Sequence, residues 1–392
     1  MRRKHIVIVG SSFAGFTAAM ELKDKVKDQH DVTVVSKSDR FLFMPSLVWV
    51  PFGLRTKDEV TFAVGPPLEK CGVRFRQDDV TRFDLDGQTI VMRNGGSEHY
   101  DYLVIATGPK PNYGAVPGLG PRAYTQSIMA LPHAEGARTA FERFLKSPGP
   151  VVVGAVQGAS CFGAAYQFLF NMAQQLRKRG LSDRTPITYV TPEPFLAHFG
   201  VVGFGSATKI AESLFEKFEI RAITGAAVQE ITPGEIRLAD GQKVPFAYAM
   251  LVPPFIGVDA VRACEKITNA SGFIRVNGFY QTDAYPQVFA AGAAVALDGQ
   301  GNTPIPCGVS KTGYLSEEMA RVVAHNVVTH IGGEEMVSVS PASIDAQYSS
   351  DASNAGADQP VEPREDAWLI PGPEAHWAEL AIEKYFPGTR RR

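Results

Sequence analysis

The chain predicts an α/β fold with two Rossmann-like dinucleotide-binding units and a C-terminal segment. Three observations carry this. An apolar strand near the start, Ile6-Val-Ile-Val, runs into Gly10-Ser-Ser-Phe-Ala-Gly15 and opens a helix. A second apolar strand, Val151-Val-Val, runs into Gly154-Ala-Val-Gln-Gly158 and opens another. Two further strands end in small residues, at Ala106-Thr107-Gly108 and at Gly292-Ala293, as a sheet does when its ends return to one extended ligand. The second turn also carries Cys161, where a nucleotide-binding turn normally holds only glycines and small residues.

The 392 residues allow two or three domains with substantial cores. Hydrophobic residues make up 45% and charged residues 20%, an ordinary globular balance. A net charge of −2 predicts no general attraction to nucleic acid, and Arg390-Arg391-Arg392 is too short to alter that. Because the first strand begins at His5, no signal peptide is expected. The longest apolar run, Val244 to Val258, is interrupted by Pro245, Pro253 and Pro254, so no transmembrane helix is expected. Cys71, Cys161, Cys264 and Cys307 have neither C-x-x-C nor zinc spacing, so no metal site is expected and a buried free thiol is the default for each.

The first unit is expected to comprise residues 1–112 and 283–330. Strand 5–9, the turn 10–15, a helix from about 13 to 27 and strand 32–35 form a βαβ start. Gly10 and Gly15 match the first and last glycines of G-x-G-x-x-G, with Ser12 at the middle position and Phe13 and Ala14 completing the turn. Backbone N–H groups and the positive helix end would hold a pyrophosphate there; the alternative is a tight strand–helix turn that binds nothing. The acid that usually binds ribose after the second strand is replaced by Ser36, which can offer one hydrogen bond. The second unit is expected over residues 148–265, with strand 151–153, a helix over 160–179 and strand 186–191. In the C-terminal region, 331–392, residues 340–366 are rich in Ser, Ala, Asp and Pro and read as a loop. Residues 374–386 place Trp377, Leu380, Ala381 and Tyr385 on one side of an amphipathic helix.

Six segments make the chain resemble the sulfide:quinone oxidoreductases, with flavocytochrome c sulfide dehydrogenase and type II NADH dehydrogenases as more distant relatives. They are Phe41 to Gly53, Tyr102 to Lys110, Gly154 to Phe170, Thr191 to Gly200, Pro306 to Tyr314 and Ala375 to Phe386, in the family's order over nearly the whole chain. The Lys311-Thr-Gly-Tyr and His376-Trp-Ala segments are more specific than any glycine turn. The resemblance implies a disulfide-reductase-like fold holding FAD at Gly10, Ser12, Phe13, Ala14, Gly15, Ser36, Pro45, Ala106, Thr107, Gly108, Gly292, Lys311 and Thr312. It implies oxidation of sulfide, or a related small sulfur species, through cysteines on one flavin face, with electrons passing to quinone on the other.

Cys161 matches one member of the family's cysteine pair. The positive end of its helix is expected to lower the thiol pKa; the alternative is a small residue packing the first turn. The stretch corresponding to the partner sulfur, about Ser343–Ala355, contains no cysteine, and Met129 stands where a further family cysteine would be. Cys307, just before the helix expected from Lys311 to about His325, is the remaining candidate partner, or a packing residue in a proline-flanked loop. His133 and His198 match histidines implicated in the family's sulfide or quinone chemistry, and a near-neutral pKa suits them to relay protons; structural histidines are the alternative. Cys71 and Cys264, the latter expected in a short helix, read as structural. Ala293 departs from the family's aspartate after the late glycine.

Trp377, Tyr385 and Phe386 match the quinone and membrane-contact region, although Pro387-Gly388 replaces the family's continuation. The helix 374–386 would then give peripheral membrane contact, or else dock on the protein's own core. A peripheral membrane location is therefore expected, otherwise a cytoplasmic one, and an oligomer remains open. Two other functions compete: a nicotinamide-dependent reductase such as an NADH:quinone oxidoreductase, and a flavin-binding homologue without sulfide turnover. Against the first, the turn 154–158 lacks tight glycine spacing and the nearest acid, Glu193, follows Pro192.

Overall fold

The computed structural model describes residues 2–200, 207–297, 303–309 and 311–339. The loop expected over 340–366, the helix over 374–386 and the quinone residues Trp377, Tyr385 and Phe386 lie outside them.

Fully buried apolar runs build two parallel sheets, as expected of strands covered on both faces. In the first sheet the order is Gln281–Thr282, Tyr285–Ala290, Tyr102–Ile105, His5–Val9, Asp31–Ser36, Arg74–Gln77, and only the short edge strand is antiparallel. His5–Val9 sits between two parallel neighbours, and Ile6, Val7 and Ile8 have no exposed surface. Helices Phe13–Val26 and Gly313–Gly332 pack together against this sheet. The second helix runs past His325 because no glycine or proline follows before Gly332 and Gly333, the latter ending it at φ +72°.

The second sheet is parallel throughout, in the order Ile220–Ile223, Ile187–Val190, Val151–Ala155, Tyr248–Val252. Helix Phe162–Lys178 covers it, burying Phe162, Ala165, Phe168, Leu169 and Met172. The apolar strap 47–52 comes from the first part of the chain yet joins this second core. Phe52 packs edge-on to Phe141 at 5.2 Å and tilted on Phe168 at 5.0 Å. Antiparallel sheets over Val80–His99 and Val228–Pro245, and two-stranded ribbons pairing Arg40–Leu42 with Thr61–Ala63 and Pro109–Pro111 with Phe255–Gly257, complete the described fold. No helix among the described residues is long and apolar enough to cross a membrane.

Candidate active site

The carboxyl ends of the parallel strands gather the small residues on which any ligand of the first sheet would rest. Gly10, at φ +111°, donates its N–H to Val35 O at 2.9 Å, and a Cβ there would collide with Ala106 O. A Cβ on Gly15 would collide with Gly10 O. Gly292, at φ +70°, lies against the first and last helices: its Cβ would fall 2.7 Å from Ala14 Cβ and 3.2 Å from Ser316 Cβ. The turn 10–15, Ala106 and Gly292 therefore form one close-packed cradle that larger residues would fill. Gly108 opens on free space at φ +65°, beside Thr107. These features fit an extended dinucleotide held by backbone.

Around the cradle, Ser12 caps the first helix without a side-chain bond and is exposed. Phe13 is buried against Phe41 and Phe43. Buried Ser36 accepts a 2.8 Å hydrogen bond from Ser11, which ties the second strand's end to the glycine turn. Pro45 is exposed in the turn Met44–Val48, whereas Trp49 is buried with the Arg55 guanidinium 4.9 Å from its ring centre. Thr312 caps the last helix by accepting from Leu315 N at 3.2 Å. Lys311 reaches back to Val295 O at 2.6 Å and Ala293 O at 3.3 Å, with its ammonium 4.0 Å from the Phe273 ring centre. Burial draws its pKa down to about 8, against the opposing pull of Cys161.

Three loops meet at Cys161 and Cys307. Cys161 is the N-cap of helix Phe162–Lys178. Gly158 N donates to Pro306 O at 2.6 Å and Gly308 N donates to Ala159 O at 2.8 Å, so segment 306–308 pairs with the turn before Cys161. A Cβ on Gly308 would lie 2.9 Å from Ser160 Cβ. Cys161 and Cys307 pack on one apolar cluster, and both are free thiols. Gly200, at φ +78°, meets Gly308 backbone to backbone, which brings in the loop bearing His198.

The electrostatics depart from expectation at Cys161. Burial outweighs the helix end and pushes its thiol up to about 11, although a Ser160 hydrogen bond and the Lys311 charge oppose the rise. A helix end contributes only a fraction of a charge, and desolvation disfavours thiolate more strongly here. Burial also raises Cys307, opposed by a Thr303 bond and reinforced by the negative charge of Glu193. Burial lowers His198, which is 5% exposed and accepts at Nδ1 from Gly200 N at 3.2 Å.

His133, in the first turn of helix Leu131–Phe144, has Tyr113 OH 3.1 Å from Nδ1, and Tyr113 OH lies 2.7 Å from Ser127 Oγ. Burial and the Arg122 charge lower its pKa. Cys264 lies just past helix Asp259–Arg262, with Sγ 3.5 Å from Ala260 O, and Cys71 caps helix Gly65–Lys70. Among the described residues no group of three or more His, Cys, Asp or Glu could hold a metal. Glu193 was noted in the sequence only as an acid in the wrong place for a nicotinamide ribose, yet it lies fully buried beside this site. Only its position inside the Thr191–Gly200 segment hinted at more.

The family model "Pyridine nucleotide-disulphide oxidoreductase" matches residues 4–309. The sulfide-quinone reductase of Aquifex aeolicus is 34% identical over 98% of this chain and 90% of its own length. The mitochondrial sulfide:quinone oxidoreductase of Dictyostelium discoideum is 26% identical over 83% of this chain and 70% of its own. The crystal structure of the Aquifex aeolicus sulfide:quinone oxidoreductase superposes with a TM-score of 0.86 at 30% identity, covering 99% of this chain and 91% of that one. Together with the glycine cradle and the paired cysteine loops, these place the chain in the pyridine nucleotide-disulphide oxidoreductase family and, within it, among the sulfide:quinone oxidoreductases, as a flavin-dependent oxidoreductase.

Proposed function

We propose that this enzyme oxidises sulfide, or a closely related small sulfur species, and reduces quinone, with FAD as its flavin. The observation that carries the reading is the pairing of segment 306–308 with the turn 158–160, which gathers two thiols on one apolar surface beside Lys311. The backbone of Gly10 to Gly15, with Ala106, Thr107, Gly108 and Gly292, would hold the dinucleotide. Ser36 would border its ribose, and Lys311, Thr312 and Pro45 its ring. Bound there, the flavin supplies a two-electron acceptor.

The cysteines form the sulfur-handling pair. Starting from a Cys161–Cys307 disulfide, hydrosulfide attacks the Cys307 sulfur, the S–S bond breaks, and Cys307 becomes a persulfide while Cys161 leaves as thiolate. Lys311 and Ser160 favour a charge on Cys161, as Thr303 does on Cys307, where Glu193 disfavours one. Because burial raises Cys161 as far as about 11, its assignment as the leaving thiolate rests on its match to the family's cysteine and not on these charges. Lys311 meanwhile becomes a stronger base as the thiolate forms, so its ammonium stays charged opposite the sulfur. His198, neutral and carrying its proton on Nε2, is assigned as the proton carrier because its loop rests on the cysteine segment at Gly308, and His133 with Tyr113 and Ser127 is assigned a supporting proton path. Quinone contact at Trp377, Tyr385 and Phe386, and peripheral membrane contact through 374–386, rest on the sequence resemblance.

Anaerobic stopped-flow mixing tests this reading. Sulfide should bleach the flavin, and a short-chain quinone should restore it. Cys161→Ser and Cys307→Ser should each keep the flavin and lose sulfide-dependent turnover by at least about 100-fold. Full turnover in both variants, or bleaching by NADH and not by sulfide, would refute it.

A further inference from the structure

We propose that Glu193 and Tyr166 form a buried clamp that positions His198 and fixes which of its ring nitrogens carries the proton. The proposal rests on the reading of His198 as the proton carrier of the site.

The loop that bears His198 has an unfavourable backbone. Ala197 lies at φ +61°, Phe199 at φ +54° and Gly200 at φ +78°, so His198 is flanked by two non-glycine residues in the left-handed region. Such a conformation persists only where its surroundings overdetermine it, and bulky phenylalanine is a poor occupant. The two strained residues are tied to one polar pair. Ala197 N donates to Tyr166 OH at 2.8 Å, and Phe199 N donates to Glu193 Oε1 at 2.8 Å. Tyr166 OH in turn donates to Glu193 Oε2 at 3.1 Å, and Thr191 Oγ1 donates to the same oxygen at 2.8 Å.

Glu193 has no exposed surface and Tyr166 is 2% exposed. No ion pair reaches the carboxylate among the described residues, so hydroxyl and amide dipoles replace a cation. Retaining an acid in a core without a cation is costly, and a loop held at both of its strained amides is a physical reason for it. Held this way, the backbone turns back so that Gly200 N donates to His198 Nδ1 at 3.2 Å. With Nδ1 accepting, the neutral ring carries its proton on Nε2. Gly200 then rests on Gly308, next to Cys307, so the clamp also sets the loop against the cysteine segment.

The experiment uses the full-length flavin-loaded protein with histidine isotopically labelled in its ring nitrogens, and the missing signal of His198→Gln assigns His198. Wild type should show one tautomer, with Nδ1 unprotonated. Glu193→Ala and Tyr166→Phe should give averaged nitrogen shifts from a tautomer mixture, while Glu193→Gln, which keeps an acceptor for Phe199 N, should restore the wild-type signal. Sulfide-dependent kcat should fall roughly tenfold in the first two, part of the 100-fold or more attributable to acid–base catalysis, with KM for quinone unchanged. Where Glu193→Ala yields no soluble protein, Tyr166→Phe, which keeps the ring, carries the test. Unchanged His198 nitrogen signals in Tyr166→Phe and Glu193→Ala overturn the clamp. Full turnover in His198→Gln would instead overturn the proton-carrier reading, and the nitrogen signals would still decide the clamp.

Discussion

Gly200 and Gly308 meet with no side chain between them: a Cβ on Gly200 would strike the Gly308 carbonyl oxygen. This contact joins the loop of His198 to the segment of Cys307, and the hydrogen bonds of Gly158 and Gly308 join that segment to the turn before Cys161. Gly200→Ala should therefore separate the histidine and cysteine loops. Its left-handed φ of +78° adds strain, so a stability loss on the order of 1–3 kcal/mol is expected, with a larger loss of sulfide-dependent turnover than of flavin content. Chemical denaturation and flavin absorbance on the same preparation check this.

Gly292 makes the opposite separation. Its Cβ would press on Ala14 and Ser316, wedging the first helix from the last and disturbing the cradle directly. Gly292→Ala should purify with depleted flavin while the free thiols keep their reactivity. A fully yellow preparation with wild-type affinity would count against the cradle as drawn.

Lys311 opposes the rise of the Cys161 pKa, and Cys161 sustains the charge of Lys311. Replacing the lysine by methionine should move the Cys161 thiol further above about 11. Alkylation of Cys161 at mildly alkaline pH, followed peptide by peptide in a mass spectrometer, should then slow several-fold, since the thiolate is the nucleophile. Unaltered labelling would show that the ammonium does not act on the sulfur.

Burial raises Glu193, so its native carboxyl binds a proton more readily than the unfolded one. The native state then holds more protons than the unfolded state above the unfolded carboxylate value of about 4.3, and stability declines as pH rises through the window up to the native value. Glu193→Gln removes this contribution. The stability of wild type minus that of the variant should fall as pH rises from about 4.3, in urea titrations at several pH values. A difference that grows with pH would mean the carboxylate is better stabilised than its burial implies.

Local sequence determined the skeleton of this molecule. Buried parallel strands announce themselves as unbroken apolar runs, and Gly10, Gly15 and Gly292 stand where close contacts exclude a side chain. The helix after Cys161 was equally legible from the apolar strand and glycine turn that open it, because that pattern is a local property. Tertiary structure alone decided which distant segments meet. The strap 47–52 entered the second core, segment 306–308 paired with 158–160, and Glu193 became the anchor of a strained loop. It also reversed the expectation for the Cys161 thiol, since a helix end can be read from neighbouring residues whereas desolvation depends on everything folded around the sulfur.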